Sequence, residues 1–233
     1  MSLLEEVLDA HGGLARHTEA GEIRARVQSG GFAFASHFTG RALRDFRATV
    51  STGGPHAVFE PYPGGGRRGV FTGSEVRIES GAGEVLERRA DPRAAFRSLR
   101  HNVWWDDLDT LYFAGYALWN YLNAPFLFAR GGFEVREEGP RTLAVRFPAD
   151  VPTHSREQRF TYDDQLRLAR HDYTAEPFGS WARAAHLCRA HSRAGGLLFA
   201  TSRRVYPRGP GGRPLPFPTL VWIEIDQIDV RPR

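Results

Sequence analysis

The sequence predicts a single α+β domain built on one large antiparallel sheet, and three observations predict it. Short strand-like runs recur along most of the chain, separated by Gly- and Pro-rich turn chemistry and not by helices. Only two regions carry helical periodicity, one at the N-terminus and one near the middle. Between Asn102 and Phe128 (NVWWDDLDTLYFAGYALWNYLNAPFLF) large apolar and aromatic side chains cover almost the whole circumference of a helix, so that helix must be enclosed.

The elements follow in order. Residues 3–17 place Leu3, Leu4, Val7, Leu8 and Leu14 on one helical face, with Ser2 as cap, Glu5 nearby and an interruption at Gly12-Gly13. Ile23 to Ala35 reads as a strand kinked at Gly30-Gly31. Strands follow at 44–51, 56–60, 68–72 and 75–80, split by TGGP, PGGG, TG and GAG turns. Asp91-Pro92 marks the entry to a short helix over 92–99, with Asp91 capping it and Pro92 at its first position. The aromatic helix then spans 103–124, capped by Asn102, with Asp106, Asp107 and Asp109 favoured near its positive end. Pro125 ends it. From Gly131 onward the pattern is all strand: 133–137, 141–147, 156–162, 166–176, 181–191, 197–206 and 220–230. No internal repeat and no low-complexity tail interrupts the single domain, 1–233.

Composition narrows the function classes. All 31 basic residues are Arg, so Schiff-base chemistry and a phosphate-loop lysine are excluded. The net charge of +4 is spread among acids with no dense basic run, so no nucleic-acid partner is expected. One cysteine, Cys188, cannot make an internal disulfide. Glu5, Glu6 and Asp9 stand where a secretion signal would be basic and apolar, so a cytoplasmic location is expected. Asp109, Asn120 and Asn123 argue against a transmembrane segment in the aromatic helix. An exposed sheet edge makes an oligomer possible.

Among residues that carry chemistry, strand alternation puts His171 and Tyr173 on one face and Asp172 on the other. His171 as general base, Tyr173 as hydrogen-bond donor and Asp106 as acid are the catalytic candidates. His186 and Cys188 share a face of their strand, flanked by alanines that leave room beside them. No His/Cys/Glu spacing forms a metal motif, and neither metal nor cofactor is expected. No G-x-S-x-G elbow and no phosphate-binding loop is present in the sequence. Trp104, Trp105, Tyr112, Tyr116 and Trp119, with His186, are the ligand-binding candidates, because Trp and Tyr join an apolar body to a polar tip.

The order of elements resembles the lipoprotein-carrier superfamily of LolA- and LppX-like proteins. Three stretches carry the likeness: Ile23–Ala35, RGVFTGSEVRIE at 68–79, and the hairpin RFTYDDQLRLARHDYTAE at 159–176. The resemblance implies a strongly curved antiparallel half-barrel, with an N-terminal helix and inserted helices plugging its concave face. It also implies an apolar cavity between sheet and helix that holds an apolar small molecule or acyl chain. The alternative is an enzyme on the same scaffold, a cyclase, isomerase or hydrolase working on an apolar, natural-product-like substrate.

Overall fold

The computed structural model describes residues 1–233 apart from Gly40, Leu99, Arg100 and Asn102. Among the described residues, thirteen strands form one open antiparallel sheet. Strands β1 (Ala20–Gly30), β2 (Phe46–Ser51), β3 (Ala57–Glu60), β4 (Arg68–Phe71), β5 (Glu75–Glu79) and β6 (Val85–Ala90) step outward in sequence from the middle of the sheet. The chain then enters helices α4 (Pro92–Ala95) and α5 (Asp107–Asn123). It returns as β7 (Glu134–Glu137), β8 (Thr142–Arg146), β9 (Glu157–Tyr162), β10 (Leu168–Thr174), β11 (Arg183–Ala194), β12 (Leu197–Pro207) and β13 (Val221–Pro232). β13 pairs with β1 and closes the path, so β6 and β7 are the two sheet edges and the helical insertion joins them.

The curvature follows from what α5 touches. Gly115 lies against Phe71 of β4, and Trp119 Nε1 donates to Ser51 O of β2 at 3.1 Å. On the other side Tyr121 meets His186 of β11, Arg203 of β12 and Tyr173 of β10. From β4 to β10 the sheet runs through eight neighbouring strands, six of them between the two. Laid flat they would spread over roughly 34 Å, about three times the width of a helix. Only a sheet wrapped around α5 brings both sets of residues to it.

That wrapping buries 15 residues of α5, as the aromatic circumference requires. The helix starts later than the sequence implies. Its N-cap is Asp106, whose carboxylate accepts from Asp109 N–H at 2.8 Å while Asp109 returns the bond to Asp106 N–H at 3.2 Å. Asn102, the expected cap, lies outside the described residues. Asp106 also takes a two-pronged pair from Arg89 of β6, at 3.1 and 2.7 Å. Replacing Asp106 by Ala is therefore expected to cost about 1–2 kcal/mol, read as a lowered urea midpoint. An unchanged midpoint would show that the cap is not what starts the helix.

Three other expectations are corrected. Residues 32–35 are a helical turn, α3 (Phe32–Ala35), and not the end of the first strand. Gly31 turns the chain at φ 129°, where a Cβ would stand 2.4 Å from Leu220 O, so the strand cannot run on through it. Asp91 does not cap α4, because its own backbone is left-handed (φ 44°, ψ 57°) and its side chain makes no cap bond. β6 was not expected at all. Its sequence VLERRA has no alternation because it is an exposed edge with no face to bury. Its charges, with those of EVRE in β7, guard both edges against further pairing.

At the N-terminus, α1 (Leu3–Ala10) carries the expected Ser2/Glu5 capping box and buries Leu3, Val7 and Leu8. Gly12-Gly13 separates it from α2 (Leu14–Glu19). Among the described residues, no helix is long and apolar enough to cross a membrane.

Candidate functional site

Two narrow apolar clefts lie between α5 and the concave sheet, on either side of Tyr121. The first is a cavity of about 40 Å³ that opens to solvent. Its helix wall is Phe113, Ala114, Ala117, Leu118 and Tyr121, and its sheet wall includes Val27, Phe46, Val205 and Ile223. The helix residues stand three and four apart, so they form one face of α5. Two of them are alanines, and that is why space remains there. The second cleft, about 10 Å³ on the same measure, runs between Asn120, Tyr121, Leu127 and Phe128 on one side and Phe160, Leu168, His171 and Arg203 on the other.

Exposed apolar side chains stand on the chain segments that carry the lining residues Phe34 and Val221. Phe32 is 54% exposed and Phe217 80%. The segments carrying them are tied by Phe32 N–H donating to Thr219 O at 3.0 Å. Phe38 and Trp104 sit on adjoining segments, joined by Trp105 N–H to His37 O at 3.4 Å.

Most of the aromatic candidates serve packing and not the clefts. Trp105 is buried among Phe96, Phe113 and Phe178, and its Nε1 donates to His101 O at 2.8 Å. Tyr112 packs on Phe71 and Phe96. Trp119 is held by Ser51 O and lies under the Arg130 guanidinium, 5.9 Å from its ring centre. Trp104 is 43% exposed at the surface. The helix tyrosine that lines both clefts is Tyr121, whose position on the Ala114/Ala117 face was the available signal.

Tyr116, His171, Tyr173 and His186 do converge, in a buried polar cluster centred on His154. It sits in the loop between β8 and β9, where no periodicity marks it. Its Nδ1 meets Tyr116 Oη at 3.0 Å and its Nε2 meets Tyr121 Oη at 2.7 Å. A neutral imidazole has one N–H and one lone pair, so one tyrosine donates and the other accepts. The ring stacks on Tyr173 at 4.1 Å and 6°.

His171 and His186 are directly opposed in the β10–β11 register. Gln158 Nε2 donates to Thr153 Oγ1 at 2.5 Å and Ser155 O at 2.7 Å, so its Oε1 faces His171 Nε2 at 2.6 Å and the proton is on that Nε2. His186 is fully buried, and neither of its ring nitrogens has a hydrogen-bond partner.

Burial sets the protonation states. It presses His154 down to about 3 and His171 and His186 well below the ordinary histidine value, so all three are neutral at pH 7. It pushes Tyr121 up to about 12 and raises the Cys188 thiol, so both are protonated. Asp172 points to the opposite face, as alternation requires, and pairs with Arg170 at 2.8 Å and Arg208 at 3.7 Å. Asp106 does not join the cluster: fifteen residues of helix separate it from Tyr121, roughly 22 Å along the axis. Among the described residues, no three His, Cys, Asp or Glu side chains gather in a way that would hold a metal ion.

One cation is enclosed with this cluster. Arg203 is 1% exposed, and its guanidinium lies 4.7 Å from the centre of the Tyr121 ring. Its Nε donates to Ala200 O at 3.2 Å, Nη2 to Tyr121 O at 3.3 Å and Nη1 to Cys188 Sγ at 3.6 Å. All three acceptors are neutral. Period-2 alternation places Arg203 on the same face as Leu197, Phe199 and Val205, a signal of its burial in the sequence itself.

No protein-family model matches the chain, and no curated protein matches it in sequence. Solved structures do match. A LolA superfamily protein from Nitrosomonas europaea superposes with a TM-score of 0.52 at 10% identity, covering 100% of this chain and 96% of that one. A DUF1329 family protein from Desulfovibrio piger ATCC 29098 gives 0.53 at 10% identity, covering 99% and 94%. The fold is LolA-like, a half-barrel of open antiparallel sheet around inserted helices.

Proposed function

We propose that this protein binds an apolar small molecule or lipid-like chain in the gap between the curved sheet and α5. The observation that carries the reading is the first cleft: apolar walls on both sides and a helix face thinned by Ala114 and Ala117. Burial of an alkyl chain there yields about 0.8 kcal/mol per methylene before the costs of ordering it. The polar groups that meet this space are few. Tyr121 and Tyr173 on its wall are neutral hydroxyls that orient a ligand without demanding charge. The LolA-like fold supports the same reading.

Filling the cleft from the helix side tests this directly. Ala114 is only partly buried and lines the cleft, so a larger side chain there has room to enter it. Ala114→Phe is expected to weaken binding of the neutral dye Nile red at least tenfold while leaving the circular dichroism spectrum unchanged. Full binding by that variant, or none by the wild type, would remove the cleft as the site.

Tyr173 is read as polar wall of the first cleft, and His154 and His171 as polar wall of the second. As catalysts these groups would need substrate contact, and the hydrogen bonds of His154 and His171 are spent on Tyr116, Tyr121 and Gln158.

A further inference from the structure

We infer that the ligand is a monoanionic amphiphile, and that its carboxylate is held by Arg203 beside Cys188 and His186. This deepens the binding reading above and rests on it.

The starting point is an uncompensated charge. A guanidinium taken out of water costs several kcal/mol unless an anion faces it. Histidine or lysine can escape that cost by losing a proton, but arginine cannot. Arg203 nevertheless lies in the interior with three long contacts to neutral acceptors, and no carboxylate pairs with it among the described residues. A residue placed there for packing alone would be apolar, as Phe199 and Val205 on the same face are.

The surroundings say what would complete it. His186 flanks the same Tyr121 ring, 4.9 Å from it, with both nitrogens unpartnered, so an imidazole N–H is also available to an acceptor. Arg203 forms part of the wall of the second cleft, whose other walls include Leu127, Phe128, Phe160 and Leu168. Tyr121 separates that cleft from the first. A charged head at Arg203 leaves an apolar tail to run past Tyr121, which lines both clefts, into the first.

The head carries one negative charge, because Arg203 is the one arginine enclosed among the described residues; a phosphate dianion would leave the second charge buried and unpaired. A carboxylate also matches the two-pronged donor geometry of a guanidinium. Asn120 Oδ1, which is unpartnered and belongs to a residue lining this cleft, is an acceptor, which keeps the carboxylate at the Arg203 end.

Displacement of Nile red by dodecanoate and by dodecanol tests this, since the two share a chain and differ in charge. The wild type is expected to release the dye at a dodecanoate concentration at least tenfold lower than that of dodecanol. In Arg203→Met that preference is lost, through weaker dodecanoate and unchanged dodecanol. If Arg203→Met does not fold, carbon-13 NMR of carboxyl-labelled dodecanoate on the wild type gives the same answer. The bound carboxyl then titrates below its free value.

Equal displacement by acid and alcohol overturns the inference and leaves apolar binding standing. A dye that never binds overturns both. Stabilisation by sodium chloride matching that by dodecanoate assigns the charge to an inorganic ion and also overturns it.

Discussion

Lowering the pH from 7 to 5 is expected to remove most of the stability of this protein, well above the range where carboxylates titrate. Five histidines, His11, His17, His154, His171 and His186, are buried, each at most 4% exposed. Burial pulls His11 and His17 down to about 4 and His154 to about 3, and holds His171 and His186 well below their ordinary value. In the unfolded chain each takes up a proton near pH 6.5.

The sign follows from proton counts. Below 6.5 the unfolded state binds more protons than the folded one, so stability falls as the pH falls, until the folded values are reached. Each such histidine contributes a slope of up to about 1.4 kcal/mol per pH unit, and five together about 7. A domain of ordinary stability, about 5–15 kcal/mol, is exhausted within one or two units. Urea midpoints measured at half-unit steps from pH 7.5 to 4.5 would show this. A midpoint flat down to pH 5, then falling below pH 4 with the carboxylates, would sink the idea.

The second large effect is steric. A Cβ placed on Gly115 would stand 2.6 Å from Phe71 Cγ and 2.7 Å from Phe71 Cβ, and Phe71 is fully buried. The same interface is close at Gly69 of β4, where an added Cβ would meet Leu111 Cδ1 at 2.7 Å. In an exposed helix Gly→Ala gains about 1 kcal/mol. Here the helix would have to lift off β4, and overpacking of that kind costs about 1–3 kcal/mol. Gly115→Ala is therefore expected to lower the thermal midpoint in spite of its better propensity, and Gly115→Leu to yield no cooperative unfolding transition. An Ala variant more stable than the wild type would mean that α5 does not approach β4 this closely.

Much of the architecture was legible because its causes are local. Turn residues at TGGP, PGGG and GAG mark off strands from chemistry within a few residues, and the structure has strands between them. The wrapped state of α5 follows from side chains alone, since a helix apolar on every side has no stable exposed face. Where the local cause was missing, the reading failed. β6 has no buried face and so no alternation, and the α5 cap moved to Asp106, where a partner three residues on and Arg89 from a distant strand both converge.

The candidate site divides the same way. That His171 and Tyr173 share a face, and that Asp172 does not, follows from the two-residue period of a strand. That His186 stands opposite His171 depends on the β10–β11 register, and that His154 bridges Tyr116 and Tyr121 depends on a loop brought in from the edge of the sheet. Composition determined that this chain encloses an aromatic helix inside an antiparallel sheet. Tertiary structure alone decided which face of the helix is packed and which leaves room, because that depends on where distant strands place their bulk. It also decided that Arg203 sits in the interior with no acid among the described residues to meet it, since a charge is unpaired only relative to everything folded around it.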